Sequence, residues 1–532
     1  MFVASQIAYQ KTNSFSRIVI DYLEESELLK NFYQAYPGLE GVKKAVLNRK
    51  ETRTDREILV TVLKQQYAGL DVSKSVSDNI EKLESVDCFT ITTAHQPNLF
   101  TGPLYFIYKI LHAIKLSDYL RKELPGYDFV PVYYMGSEDA DFAELNHTYV
   151  DGKKIEWKKN QGGAVGRMLA DESLEALITE LEGQVSVEPF GKEFTDMLRR
   201  SYSRGKTIQQ ATLELLNELF GHYGLIVLIP DNHVLKKQMA TIFRDDLFEH
   251  RPASLVAATS SKLAAHYPVQ AHAREINLFY LDGHTRERIE KRGAKYHVVN
   301  TELEFSEEEL LAMIDASPEK FSPNVILRGL YQEIILPNII FIGGGGELAY
   351  WLQFKDLFDA YKIPYPLLVL RNSFLVIEKK WQALIDKLGL SQEEIFLDQN
   401  SIMNLIVARK STNDTSLNGN FEKAEELFQS LSSQAGTIDP TLVQHVAAIR
   451  KKSIKRLEEL EKKMLRAEKR KFSDQQRQVQ TLKQQLFPLN GLQERVENIS
   501  GLYAKWGPGI IQQLYEHSLC LGQKFTVLTE SD

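Results

Sequence analysis

Cysteine is nearly absent from this chain: its 532 residues hold only two, Cys88 and Cys520. That scarcity excludes a disulfide framework, and with it a zinc site of the paired C-x-x-C kind. No stretch approaches the ~18 uninterrupted apolar residues that a membrane-spanning helix needs. The opening segment, MFVASQIAYQKTNSFS, has no basic stretch followed by an apolar run, so no signal peptide is read there. These absences predict a cytoplasmic protein with no membrane partner. Excess positive charge is missing too. Lys and Arg number 64 against 71 Asp and Glu, giving a net charge of −7 and a pI near 6.0, which argues against nucleic acid as a partner. No G-x-S-x-G elbow, H-E-x-x-H pair or Cys–His constellation occurs, and no built-in metal ligand set is read. Arg204-Gly205-Lys206-Thr207 has the ending of a phosphate-binding P-loop, but Arg200 stands where its first glycine belongs and no strand precedes it.

The chain does contain the composition of a globular protein, with 43% hydrophobic and 25% charged residues. Its length exceeds one core, so several domains or large insertions are expected. Residues 1 to about 85 read as mainly helical. The most informative stretch is Phe89–Leu116, FTITTAHQPNLFTGPLYFIYKILHAIKL. Its β-branched start predicts a strand that stops at His95. A polar loop follows with Gln96, Asn98, Thr101 and Gly102, and Pro103 suits the first position of a helix. Leu104, Ile107, Leu111 and Ile114 then mark one helical face. A strand, a tight loop and a helix N-terminus together favour an anion, because free N–H groups and the helix dipole point at it.

A second strand–loop unit spans Phe129–His147. Val130, Val132 and Tyr134 lead to Gly136, then to the acidic group Glu138, Asp139, Asp141 and Glu144, and to His147. Such a run is either a solvated face or, at a strand's carboxyl end, a site for an ammonium, a magnesium ion or an amine proton. Residues 150–224, with Gly162, Gly163 and Gly166, suggest a flexible insertion. Leu225–Pro230 reads as a buried strand, and the Asp231 beyond it suits either a ligand hydroxyl or a helix cap. Short strands around Ile276, Leu278 and Tyr280 suggest a second insertion over about 260–320. A third unit has Arg328 and Gln332 ahead of a strand at Ile339–Ile342, a loop at Gly343, Gly344, Gly345 and Gly346, and a helix at Glu347–Phe358. The glycines would admit positive φ and close approach of a ligand. Glu347, Tyr350 and Trp351 are binding candidates, with the two aromatics equally suited to the core. Tyr365–Leu370 is a further apolar run ending at Arg371. Arg328 and Arg371 can pair with carboxylate or phosphate.

Beyond about residue 380 the character changes. Ser411–Asn420 reads as a polar linker. Leu457, Leu460 and Met464, then Val479, Leu482 and Leu486, are two helical runs out of heptad phase, which predicts a hairpin or a long interrupted helix. The organisation expected is α/β: a Rossmann-like core over 1–380, a connecting segment over 381–435 and an α-helical coiled-coil domain over 436–532.

Three of these stretches together resemble the cysteine ligase family of bacillithiol biosynthesis, the BshC family. They are A-H-Q-P-N-L-F-T-G-P-L-Y at 94–105, G-S-E-D-A-D-F-A-E-L-N-H at 136–147 and G-G-G-G-E-L-A-Y-W at 343–351. The Arg328–Gln332, Leu367–Arg371 and Leu486–Arg495 segments agree in order and spacing. The resemblance implies a nucleotidyltransferase-type Rossmann-like core with connecting insertions, and a coiled coil able to support a homodimer. It also implies a carbon–nitrogen ligase joining the cysteine carboxyl to the amine of glucosaminyl-malate. A carboxylate is a poor acyl electrophile, whereas a mixed anhydride with adenylate or phosphate is a good one. ATP is therefore the expected cofactor, with magnesium a further candidate. On this reading the His95–Pro103 loop meets phosphate, and Glu138, Asp139 and Asp141 orient an ammonium or take the amine proton. Gly343–Glu347 holds a nucleotide or sugar, and Arg328 or Arg371 pairs with malyl carboxylates. The chain departs from class I synthetases in two places. His95-Gln96 with a distant Gly102 replaces H-x-G-H, and Ser260-Ser261-Lys262 is all that stands for the lysine loop. A catalytically silent Rossmann-like scaffold that binds a nucleotide or thiol metabolite is the competing reading, and a tRNA-synthetase relative a third.

Overall fold

In a computed structural model, which describes residues 1–413 and 416–531, five strands form one parallel sheet. Their spatial order is Leu367–Leu370, Asn338–Gly343, Cys88–His95, Asp128–Met135 and Ile226–Leu228. The chain winds outward one way from Cys88–His95 and then returns to wind the other way, the Rossmann-type arrangement. Both faces are covered, so the strands are buried almost end to end. The buried threonines of the first strand are all satisfied. Thr93 donates to the Ile342 carbonyl at 2.9 Å, and Thr92 and Thr90 pass hydrogen bonds on to Asn338. The sequence reading of a Rossmann-like core therefore holds, with a C-terminal helical domain joined to it.

The helix after the first strand begins at Tyr105, not at Pro103, and no side chain of its own caps it. Its N-terminus is closed from the C-terminal domain instead. The Leu104 N–H donates to the Glu497 carbonyl at 2.7 Å, and Asn498 Nδ2 donates to the carbonyls of Phe100 and Gly102. Phe100, Thr101 and Gly102 all have positive φ, a costly conformation for the first two, and the Asn498 latch holds it. The helix is buried on nearly every side, not on one face, because the C-terminal domain covers what would be its solvent side.

The insertion expected to be flexible is an ordered three-helix unit, Glu172–Val185, Gly191–Ser201 and Ile208–Phe220. Gly166 serves close packing there, since a Cβ would lie 2.5 Å from the Ser137 carbonyl oxygen. The second insertion carries a five-stranded antiparallel sheet and the helix Glu307–Ala316. The chain does not start with a helix. Phe2–Ile7 pairs antiparallel with Phe525–Glu530, which lies parallel to Ser373–Ile377. The C-terminal domain thus ends in a strand, because an apolar, β-branched tail completes a small sheet next to the core.

The segment read as a connector carries the helices Lys379–Leu388 and Gln399–Lys410. Its polar stretch at 411–420 lies partly outside the described residues. The helices Asn418–Ile438 and Leu442–Lys469 then form an antiparallel hairpin, tied by Arg450–Glu425 at 2.6 Å. The second arm breaks at Arg470–Phe472 and resumes as Ser473–Leu486, so the two apolar runs lie on one interrupted helix, and the hairpin is made instead with Asn418–Ile438, much of it read as connector.

Two buried polar clusters fasten the layers. Arg49 donates to Glu333 at 2.7 Å and to the carbonyls of Glu333 and Asn338, securing the N-terminal helices to the sheet. His112 accepts the Asn372 N–H at Nδ1, so its proton is on Nε2, which donates to the Cys520 carbonyl at 2.7 Å. Burial pushes the His112 pKa down to about 4, against the raising effect of that carbonyl.

Replacing Arg49 by Met strands the Glu333 carboxylate in the core and should cost about 3–5 kcal/mol in urea unfolding. The pH dependence follows from His112. Its folded pKa lies below the unfolded value of ~6.5, so the unfolded chain binds the extra proton. Stability should therefore fall as pH drops below ~6.5, by up to ~1.4 kcal/mol per unit from this group, until pH reaches its folded value. His112→Gln should remove that share of the slope when unfolding midpoints are compared at several pH values.

Candidate active site

All five parallel strands deliver residues to one cavity of about 430 Å³ at their carboxyl edge. Ala94, His95 and Gln96 come from the first strand, and Met135 to Asp139 from the second. Pro230 follows the third, Gly344 to Glu347 the fourth, and Arg371 the fifth. The crevice between the first and fourth strands is where the winding reverses, the position at which open α/β sheets leave room for a ligand.

His95 sits with its ring centre 5.3 Å from that of Tyr105 and 5.5 Å from that of Phe106. Its backbone carbonyl is held by the Gly136 N–H at 2.7 Å and the Tyr133 hydroxyl at 2.9 Å. Nε2 is buried with no hydrogen-bond partner among the described residues. Burial, and then the charges of Lys109, Arg371 and Arg328, hold the imidazole well below its ordinary pKa, so it is neutral at pH 7. Gln96 donates to Asp139 at 3.2 Å.

The acidic group is divided by the fold. Glu138 is nearly buried, paired with Lys236, and accepts the Ser322 hydroxyl at 2.7 Å. Asp139 faces the cavity with no ion-pair partner among the described residues. Asp141 does not line the cavity. It caps the turn Phe142–Leu145 by accepting the Glu144 N–H. Glu144 does line it, and burial followed by the charges of Asp139 and Asp141 raises its pKa.

The glycine run is tighter than a loop. Only Gly344 precedes the helix Gly345–Trp351, and none of the four glycines has positive φ. What they provide is proximity: a Cβ on Gly343 would lie 2.8 Å from Phe341, and one on Gly345 would lie 3.2 Å from Val19. Glu347 turns back to accept the Gly344 N–H at 2.8 Å and pairs with the buried Lys109. The helix expected over Glu347–Phe358 is two, the second being Lys355–Tyr361.

On the cationic side, Arg328 donates to the Tyr350 hydroxyl at 2.8 Å, while its Nη1 is buried without a partner among the described residues. Arg371 is held by Glu494 at 2.8 Å and lies 5.0 Å from the Tyr105 ring centre. These residues, with Tyr350, meet in the cavity.

Other sequence candidates lie elsewhere. Asn98, Thr101 and Gly102 form the strained turn latched by Asn498. His147 contacts Asn146 at the start of a short hairpin. Asp231 is clasped by Arg167 through two hydrogen bonds at 2.6 and 2.7 Å. Gln332 is buried beside Glu333, Gly343 ends its strand, and Trp351 packs among Phe341, Phe358 and Tyr365.

The sequence reading passed over Lys109, Arg286 and Arg495 as site residues. Lys109 left a signal, as a lone lysine inside an apolar helical run. Arg286 and Arg495 left none, for each reaches the cavity from a separate unit. Among the described residues no group of three or more His, Cys, Asp or Glu is arranged to hold a metal ion. An anionic group does fit the residues present, because Arg328, with its Nη1 unpartnered among the described residues, lines the cavity.

Comparison with known proteins agrees with this architecture. Residues 2–372 match the family model described as bacillithiol biosynthesis BshC, N-terminal Rossmann-like domain, and residues 374–530 match its C-terminal coiled-coil domain. Relatives named "Putative cysteine ligase BshC" include one from Flavobacterium psychrophilum, 39% identical with 98% of each chain covered. Another from Chlorobaculum tepidum is 31% identical with 96% of each covered. A solved structure described as a "putative arginyl t-RNA synthetase" from Campylobacter jejuni aligns with a TM-score of only 0.20 at 11% identity, covering 85% of this chain and 100% of its own. With both family models matched across nearly its whole length, and relatives of this similarity, the chain belongs to the BshC family of bacillithiol biosynthesis.

Proposed function

We propose that the protein is a ligase that joins the carboxyl group of cysteine to the amine of glucosaminyl-malate. The observation that supports this reading most directly is the division of the cavity. Asp139, a carboxylate without an ion-pair partner among the described residues, lines it beside one strand, and Arg328, whose Nη1 is buried and without a hydrogen-bond partner among the described residues, lines it from the helix before another. Amide formation needs both: a base for the proton of the attacking amine and a positive group for the charge that grows on the acyl oxygen.

Asp139 is the base in this scheme, held by the Gln96 amide and by the Asp141 N–H. Glu138 is less suited, because Lys236 and Ser322 already occupy its carboxylate. Neutral His95 donates or accepts one hydrogen bond beside the reacting carbonyl without bringing a charge of its own. ATP, when bound, supplies the group that makes the cysteine carboxylate an electrophile. Arg328 and the first-turn N–H groups of Gly345 and Gly346 are the residues that would hold its phosphates. Lys109, paired with Glu347, fixes the spacing between the first helix and the glycine turn.

The test is incubation of the purified protein with cysteine, glucosaminyl-malate and ATP, read by mass spectrometry for the amide. Asp139→Asn should lower the rate by about 100-fold or more, the usual range for a lost general base. Asp141→Asn keeps a capping side chain and should stay within about tenfold of wild type. A fully active Asp139→Asn enzyme would remove the base assignment, and a wild-type enzyme that forms no amide would remove the function.

A further inference from the structure

Nearly every charge around the cavity is held by a neighbour. Lys109 pairs with Glu347, Arg371 with Glu494 and Glu138 with Lys236. Gln96 donates to Asp139, while Arg328 donates to Tyr350 and Arg286 to Ser322. Among the described residues, two charged side chains that line the cavity have neither a hydrogen bond nor an ion pair: the carboxylate of Glu144 and the guanidinium of Arg495. They carry opposite charge, both are exposed, and they have not paired with each other.

Both are placed by rigid neighbours. Glu144 lies in the turn Phe142–Leu145, fixed by the Asp141 cap on one side and by two hydrogen bonds between Asn146 and Trp157 on the other. Arg495 lies in the turn Gln493–Val496. There Gln493 bonds the N–H and carbonyl of Val376, and Glu494 binds Arg371 and the Phe374 N–H. The two charges also act on one group in opposite senses. Burial pushes the Tyr105 hydroxyl up to about 12, and among the smaller influences Glu144 raises it while Arg495 lowers it. Two opposite charges held unpaired across a cavity suit a ligand with complementary charges at its two ends.

We propose that Glu144 and Arg495 form a two-point clamp for a ligand bearing both an ammonium and a carboxylate, Glu144 taking the first and Arg495 the second. The clamp rests on the ligase reading, and both substrates of that reading carry the two groups. It makes the C-terminal domain a contributor to ligand recognition, since Arg495 belongs to that domain.

Isothermal titration of the full-length protein decides this, with cysteine and glucosaminyl-malate as separate ligands against wild type, Glu144→Gln and Arg495→Gln. Each variant should weaken binding of one of the two ligands by about tenfold or more, the loss of one charge-assisted contact, and the responding ligand names the occupant. The methyl ester of that ligand, which lacks the carboxylate, should bind wild type and Arg495→Gln alike. An ester that distinguishes them would overturn the role of Arg495. Wild-type affinity for both ligands in either variant would overturn the clamp and leave the ligase reading intact. A wild-type protein that binds neither would overturn the ligase reading itself. Both residues are exposed, so unchanged unfolding midpoints are expected and serve to check that the variants are folded.

Discussion

In a parallel sheet every strand points its carboxyl end to the same edge, and reversed winding on either side of Cys88–His95 leaves a crevice there that no crossover helix covers. The rest of the molecule depends on that geometric constraint. Residues separated by hundreds of positions, such as His95 and Gly344, become neighbours because their strands lie side by side in register, and Asp139 and Arg371, with two strands between theirs, still line the same edge. The insertions and the C-terminal domain leave the sheet order unchanged. Walls come from around it: Arg286 from one insertion, Glu144 from the turn just before the other, and Arg495 from the far end of the chain.

The cost of placing so many charges beside a buried edge is managed by pairing. The low dielectric there penalises any isolated ion, so Arg371 and Lys109 are each matched with a carboxylate from another element. Those pairs also act as spacers. Lys109–Glu347 joins the helices that follow the first and fourth strands, and Arg371–Glu494 joins the sheet to the C-terminal domain. What is left with spare capacity, namely the Arg328 Nη1, Asp139 and the two exposed residues at the rim, is where a ligand's charges can be matched.

The three strand–loop units were legible in the sequence because each signal is local: an apolar β-branched run stopped by His95, Gly136 or Gly343. Boundaries were legible less well. Pro103 suits a helix start, but the latch from Asn498 moves that start to Tyr105, and nothing near Pro103 in the chain announces it. The glycine run at 343–346 looked like conformational freedom and proved to be close packing. The terminal strands, Phe2–Ile7 and Phe525–Glu530, pair with each other and the second also with Ser373–Ile377, partners far away in the chain, so neither end by itself reveals them.

The sequence by itself determined the α/β core, the helical C-terminal region and the family, for these rest on local periodicity and on motifs whose spacing survives along the chain. Only the tertiary structure decided which polar residues face the cavity. Asp139 and Asp141, two residues apart in one acidic run, end as a cavity carboxylate and a helix cap. Arg371 and Arg495, alike in type, end as a bound ion pair and an unpartnered guanidinium. A side chain's role here follows from which neighbour reaches it first, and that neighbour comes from a different part of the chain.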